Sequence, residues 1–349
     1  MASLRRPFHL TYSIPPSNDI VMRVVADIGG TKTVLAAVSS REGRIELASR
    51  RLFLNDRYSS FESVLAAFLA DISSEPVSDL GIAVAGPVEG NRCNMTNLNW
   101  VVDGGDLGER FDIRRVILHN DLAASGYGLE VVSGNSLEAI HEGKKGVRGN
   151  RALLSPGTGL GESIIHDLDG RCVPIATEGG HADFAPFDGV TGRLWAFLRR
   201  TKPRVSVEDV LSGAGLNNVY RFIVSESGGE IDPHVEKEMT AHPGAVVTRR
   251  ALEDKDPAAV EAIRVFLDVL AAEAGNLALK GLAVGGVYFG GGIIPRLLPS
   301  VDKRRFASIF AAKGKHQALL EAVPLFIVTD TDLPLYGAAY HLLIVSSTR

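Results

Sequence analysis

Residues 23–27 (RVVAD) and 33–38 (TVLAAV) are short apolar runs rich in β-branched residues, separated by Gly29-Gly30. That pattern predicts two strands joined by a hairpin whose turn uses the positive φ that glycine tolerates. Arg44–Phe53 reads as a third strand. Ser59 and Glu62 then stand at capping-box spacing ahead of Phe61, Val64, Leu65, Phe68, Leu69 and Ile72, which recur at a helical period. Three strands followed by a helix is the predicted opening order. An apolar run at Leu80–Ala85, a turn at Gly86-Pro87 and a strand at Arg115–Leu118 continue the alternation, so the sheet is mixed and begins antiparallel. Ala152–Leu154 leads into Ser155-Pro156-Gly157-Thr158-Gly159-Leu160-Gly161, an echo of the first strand and turn. Asp256-Pro257 has the N-cap and N1 chemistry of a helix that runs to about Lys280. Val287–Phe289 is a strand that ends in three consecutive glycines, Gly290–Gly292; Leu325–Val328 is another, and Tyr336–Tyr340 begins a terminal helix. No solenoid period is visible.

Composition narrows the class. A length of 349 residues favours two domains, and 45% hydrophobic with 7% aromatic residues describes a soluble globular protein with an aliphatic core. Lys+Arg 37 against Asp+Glu 41 leaves a net charge of −4, which offers no basic field to a nucleic acid or an anionic membrane. An anionic ligand must therefore be captured locally. The two cysteines, Cys93 and Cys172, exclude a disulfide scaffold and a four-thiolate zinc site and fit a reducing cytoplasm. Residues 1–20, with Arg5, Arg6 and Pro15-Pro16, contain no signal-peptide core and read as a flexible N-terminal arm. The apolar stretch Gly281–Ile294 is too short and glycine-rich to span a membrane.

The 37 glycines matter by their clustering: 29–30, 157–161 and 290–292 each follow an apolar strand. Such turns expose successive backbone N–H groups, which form concave nests for phosphate oxygens. Neither familiar phosphate motif is present. Gly29-Gly30-Thr31-Lys32 lacks the glycine spacing and Gly-Lys order of a P-loop, and Glu162 stands where a dinucleotide fingerprint would have its third glycine.

Taken in order, Asp27-Ile28-Gly29-Gly30-Thr31-Lys32-Thr33, Met95-Thr96-Asn97-Leu98-Asn99-Trp100, His119-Asn120-Asp121, Gly157-Thr158-Gly159-Leu160-Gly161 and Glu178-Gly179-Gly180-His181-Ala182-Asp183-Phe184-Ala185-Pro186 resemble the signature of bacterial-type glucokinases. Glu208-Asp209-Val210-Leu211-Ser212-Gly213 and Gly285–Ile293 extend the resemblance, which runs from about Val21 to the C-terminus. It implies a two-lobed α/β fold of the actin-like ATPase kind, a duplicated ribonuclease H-like arrangement with mixed sheets and an inter-lobe cleft. The small lobe would take 21–131 plus 333–349 and the large lobe 132–332. The implied activity is ATP-dependent phosphorylation of D-glucose at the 6-hydroxyl, with Mg²⁺, in a cytoplasmic homodimer that binds neither nucleic acid nor membrane. A kinase for another hexose or for an N-acetylated amino sugar is the nearest alternative. A sugar-sensing regulator is a more distant one, because about twenty residues ahead of the first strand are too few for a helix-turn-helix.

The resemblance also assigns residues. Asp121 would be the general base; on the residues alone, Asn120 and Asp121 are both N-cap types, and Asp121 could simply cap the helix beginning at Leu122. Asn97, Asn120, Glu178, His181 and Glu208 would join Asp121 around the sugar, whose hydroxyls both donate and accept. Glu178, His181 and Asp183 are also acceptable metal ligands, although the related zinc-binding families use a cysteine cluster that this chain lacks. Gly29, Gly30, Thr31, Thr158 and Gly159 would face the phosphates of ATP, Gly290, Gly291 and Gly292 the adenosine, and Asp27 the Mg²⁺ ion. Lys32 has the charge to neutralise phosphate or simply to be solvated. His119 reads as a packing residue, and Glu162 is expected to point away from the phosphate turn, where its charge would repel ATP.

Overall fold

A computed structural model describes residues 22–41, 44–72, 76–95 and 98–347, so the N-terminal arm (1–20) and Asn97 lie outside the described residues. Contacts divide the chain into two units. The first takes the chain up to Gly134 together with Leu168–Pro174 and Asp332 onward; the second takes Asn135–Asp167 and Ile175–Thr331.

Unit 1 is built on β1 (Met22–Ile28), β2 (Lys32–Arg41), β3 (Arg44–Leu54), β4 (Val77–Val84) and, after a small sheet of β5 (Val88–Glu89), β6 (Arg92–Asn94) and β7 (Val101–Asp103), β8 (Arg115–Asn120). The main sheet has the order β3-β2-β1-β4-β8. The first three strands pair antiparallel, while β1, β4 and β8 run parallel. Side chains alternate across a strand, and β1 is buried on both faces. Val24, Ala26 and Ile28 pack with Phe61, Val64, Leu65 and Phe68 of α1 (Phe61–Ile72). Val25 packs on the other side with Leu335, Ala338, Ala339 and Leu342 of the terminal helix, Leu333–Ser347. That helix opens three residues before the predicted Tyr336. The cap of α1 also differs from prediction by one residue: the helix begins at Phe61, so Ser60 is the flanking residue, and its N–H donates to Ser63 Oγ at 3.3 Å. α2 (Gly104–Phe111) and α3 (Asp121–Gly128) complete the unit. The terminal helix lies so close to α3 that a Cβ on Gly337 would stand 1.7 Å from the Ala124 carbonyl oxygen.

Unit 2 repeats the plan. Its sheet has the strands β9 (Leu137–His141), β10 (Arg151–Pro156), β11 (Leu160–Leu168), β12 (Arg171–Thr177), β13 (Gly286–Phe289) and β14 (Leu325–Val328), in the order β12-β11-β10-β13-β14-β9, with Leu168 and Arg171–Pro174 at the β11–β12 turn counted with the first unit. β10 pairs antiparallel with β11 and parallel with β13, as β1 does with β2 and β4. The implied duplication is therefore visible as topology, with β9 an added antiparallel strand at one edge. Five helices follow the sheet's first half: α4 (Gly189–Leu198), α5 (Gly213–Glu226), α6 (Pro233–Ala241), α7 (Ala245–Leu252) and α8 (Pro257–Gly281). The predicted start of α8 holds, with Asp256 accepting from the Ala258 and Ala259 N–H groups and Pro257 at the first position. Ala262, Phe266, Leu270, Ala274 and Leu277 bury it in the unit's core, as expected of a helix apolar around most of its circumference.

Candidate active site

In unit 1 the parallel strands are level at their C-terminal ends, Ile28 beside Val84 and Val84 beside Asn120. The segments that leave them, Gly29–Thr31, Ala85-Gly86 and Asp121, therefore share one edge, the edge at which open α/β sheets receive ligands. The first turn closes through the Gly29 N–H, which donates to the Lys32 carbonyl at 3.0 Å. The positive φ expected of Gly29 and Gly30 is not observed at either. Glycine serves at position 29 by close approach instead, since a Cβ there would lie 3.3 Å from the same Lys32 oxygen. A buried residue that the sequence did not single out braces this turn. Asn55 donates from Nδ2 to the Gly29 carbonyl at 2.8 Å and from its N–H to the Thr31 carbonyl at 3.0 Å, while its Oδ1 accepts from Thr33 Oγ1 at 2.8 Å.

Asn120 is the residue that flanks α3, its Oδ1 accepting from the Leu122 and Ala123 N–H groups at 3.0 and 3.4 Å, and Asp121 Oδ1 accepts from the same Leu122 N–H at 2.9 Å, so both residues help to cap the helix. Asn120 Nδ2 donates to the Gly86 carbonyl at 3.2 Å, which leaves one amide hydrogen for a ligand. Asp121 is the first residue of α3, where the helix dipole favours a carboxylate. It lies close enough to Asp27 to act on it. Burial first, and then the Asp121 charge, push the Asp27 pKa up to about 7; Lys32 opposes, Asp332 adds to the rise and Arg50 opposes again. Arg50 and Asp332 hold each other in a two-pronged ion pair at 2.7 and 2.8 Å. Asp332 stands just ahead of Leu333-Pro334, a helix-start signature that was available in the sequence.

In unit 2, the turn 157–161 leaves β10 and the glycines 290–292 leave β13, which are adjacent parallel strands in register at Leu154 and Phe289. The two clusters are in contact. The Gly290 N–H donates to the Leu154 carbonyl at 2.9 Å, and a Cβ on Gly291, whose φ is +83°, would stand 2.5 Å from the Pro156 carbonyl oxygen. Thr158 is exposed at the turn's apex. Glu208 ties this turn to the one carrying Glu178 and His181. Its Oε2 accepts from the Leu160 N–H at 2.8 Å, and its own N–H donates to the Gly180 carbonyl at 2.8 Å. A Cβ on Gly159 would lie 2.5 Å from Glu208 Oε2. Glu178 and His181 are largely exposed, with Oε2 and Nε2 3.9 Å apart. The N-terminus of α5, capped by Ser212, meets the same turn, since the Gly213 N–H donates to the Gly157 carbonyl at 2.9 Å.

The structure thus gathers Asp27, Gly29, Gly30, Thr31, Asn120 and Asp121 on one edge of unit 1. Thr158, Gly159, Glu178, His181, Glu208, Gly290, Gly291 and Gly292 gather around one end of the unit 2 sheet; Asn97 is outside the described residues. The metal reading of Glu178, His181 and Asp183 finds no support, because Asp183 is paired with Arg204 and no cluster of three or more acidic, His or Cys residues suited to a metal occurs among the described residues. His119 packs as expected, with Nε2 3.0 Å from His341 Nδ1 and both rings against Tyr127. Burial, and then His341, depress its pKa to about 4.

Known proteins similar to this chain fall in one family of sugar kinases. A family model described as Glucokinase matches residues 24–344. A glucokinase of Trichormus variabilis is 33% identical over 337 residues, spanning 92% of this chain and 98% of its own. A solved glucokinase from an Antarctic psychrotroph is 27% identical and superposes with a TM-score of 0.82 over 93% of this chain and 99% of its own. A ROK family glucokinase from Streptomyces griseus, solved in complex with glucose and AMPPNP, shares the fold at 21% identity and a TM-score of 0.60, covering 91% of this chain and 98% of its own.

Proposed function

The chain belongs to the glucokinase family and catalyses ATP-dependent phosphorylation of glucose, and from that premise we propose how its residues divide the work. Asp121 accepts the proton of the sugar's 6-hydroxyl as that oxygen attacks the γ-phosphate. Phosphoryl transfer is governed by positioning and charge, and a carboxylate within hydrogen-bond reach both orients the nucleophile and takes its proton. The observation that carries this role is the placement of Asp121 at the start of α3, on the edge where β1 and β8 end, with the Asp27 carboxyl near enough for the two like charges to repel. Two carboxylates that resist joint ionisation suit a divalent cation, and hard oxygen donors of this kind suit Mg²⁺, which takes one or two carboxylates beside phosphate and water. Asp27 would hold that ion, whose contribution when bound is to offset phosphate charge.

The Gly29 and Gly157 N–H groups are already used within their turns. Phosphate contacts therefore fall to Gly30 and Thr31 in unit 1 and to Thr158 and Gly159 in unit 2, with Gly290, Gly291 and Gly292 on the adenosine side. Glu178, His181, Glu208, Asn120 and Asn97 hold the sugar. Glu208 spends Oε2 on Leu160 and offers Oε1 to a hydroxyl. Two free cysteines, Cys93 and Cys172, fit the cytoplasm, and no helix among the described residues is long and apolar enough to cross a membrane. Sedimentation of the purified chain reads the homodimer directly. For the chemistry, Asp121→Ala is expected to lower kcat by about 10²–10⁴-fold while leaving the KM for ATP within a few-fold. Turnover close to that of the unmodified enzyme would remove Asp121 from the role of base.

A further inference from the structure

β11 leaves the phosphate turn at Leu160 and carries Glu162 onto its buried face, where the residue is 1% exposed. Neither carboxylate oxygen has a hydrogen-bond partner among the described residues. An unpaired buried carboxylate is costly when ionised, so its retention here calls for a local reason. The geometry supplies one. A Cβ on Gly179 would lie 2.1 Å from Glu162 Oε2, so the absent side chain at 179 is what lets the carboxyl reach the underside of the Glu178–His181 turn. The main chain of Glu162 is tied to the same place. Thr177 Oγ1 donates to the Glu162 carbonyl at 3.1 Å and accepts from the Gly179 N–H at 3.2 Å.

We propose that Glu162 is a positioning residue for sugar binding, its carboxyl forming the seat on which the Glu178–His181 turn rests and fixing that turn against the phosphate turn two residues upstream. This deepens the reading given above and rests on its assignment of Glu178 and His181 to the sugar. The groups that face the carboxyl set its proton. Burial, and then Glu273 of α8, push its pKa up to about 7, with Lys280 of the same helix opposing. Lys313, which donates to the Ala272 carbonyl and Asn276 Oδ1, stands beside Glu273. From β12 and the turn come the Thr177 hydroxyl and the Gly179 backbone, while Glu178 and His181 lie on the solvent side. The neutral carboxyl fits beneath Gly179. Its ionised form needs water, and water reaches it when the turn lifts.

Three measurements test this. In the unmodified enzyme the KM for glucose should rise by up to about tenfold between pH 6 and 8, as expected when one group titrating near 7 must be neutral for binding, with the KM for ATP unaffected. Glu162→Gln should flatten that rise, and Glu178→Ala should raise the KM for glucose at every pH. Hydrogen exchange of the 179–182 amides in the unmodified enzyme should quicken from pH 6 to 8 beyond the intrinsic rate, and Glu162→Gln should abolish the excess. A glucose KM that follows pH identically in the unmodified enzyme and Glu162→Gln, or exchange with no excess, overturns the role of Glu162. An unchanged glucose KM in Glu178→Ala overturns the sugar assignment instead, and the exchange result still decides whether Glu162 seats the turn.

Discussion

Replacing Asp27 by asparagine should stabilise the ligand-free protein while silencing it. Burial and the neighbouring Asp121 lift the Asp27 pKa from 3.8 to about 7. Below pH 3.8 the carboxyl is protonated in both folded and unfolded chains and contributes no pH dependence. Between 3.8 and 7 the folded chain keeps a proton that the unfolded chain has released, so stability falls as pH rises; above 7 the penalty is complete. At 1.36 kcal/mol per pH unit it amounts to about 2 kcal/mol at pH 5 and up to about 4 kcal/mol at pH 8. The asparagine amide would escape that penalty and still fill the space. The two tryptophans make the assay local. Trp100 is buried in the unit 1 core, whereas Trp195 lies on α4 of unit 2. Urea unfolding followed by fluorescence in a Trp195→Phe background, without nucleotide or Mg²⁺, therefore reports unit 1. Asp27→Asn should move the Trp100 transition to higher urea, more at pH 8 than at pH 5. An equal gain at both pH values, or a loss at pH 8, would refute the reasoning.

Two further substitutions probe close approaches of backbone to side chain. Gly159→Ala brings a methyl 2.5 Å from Glu208 Oε2 and should push that carboxylate off the Leu160 N–H. Steady-state kinetics should show the KM for both substrates rising by about tenfold or more, the scale of one hydrogen bond to a charged group. Gly337→Ala drives a methyl into the Ala124 carbonyl and should cost unit 1 about 1–3 kcal/mol, the usual range for overpacking. The Trp100 transition, read in the same Trp195→Phe background, should fall to lower urea, and kcat should drop because Asp121 opens the displaced helix.

What the sequence revealed and what it hid follow from the range of the forces involved. The apolar runs of β1 and β2, the helical period of α1 and the Asp256-Pro257 start of α8 are local, and each appears where the pattern put it. Adjacent serines at 59 and 60 made the cap ambiguous, because the deciding factor is where the helix packs. The glycine turns were found, but the reason for the first was misjudged: close approach to Lys32 is a tertiary demand, whereas Gly291 meets both the conformational and the steric one. Glycine's identity does not say which applies. Asn55 and Glu162 were harder still, since polar residue types carry no local sign of burial. Their roles depend on partners 26 and 15 residues away in the chain, Gly29 for the one and Thr177 for the other.

Unit 1 is assembled from distant stretches of chain, and that order has a consequence for synthesis. The face of its sheet formed by Val25, Val34, Ala36 and Val38 is covered by the terminal helix. At ribosomal speeds of about 5–20 residues per second, the roughly 200 residues separating Gly134 from Asp332 keep that face waiting for on the order of ten to forty seconds. During that interval the nascent chain presents a row of aliphatic side chains suited to chaperones or to misassembly. The unit carrying Asp121 is started first and completed last.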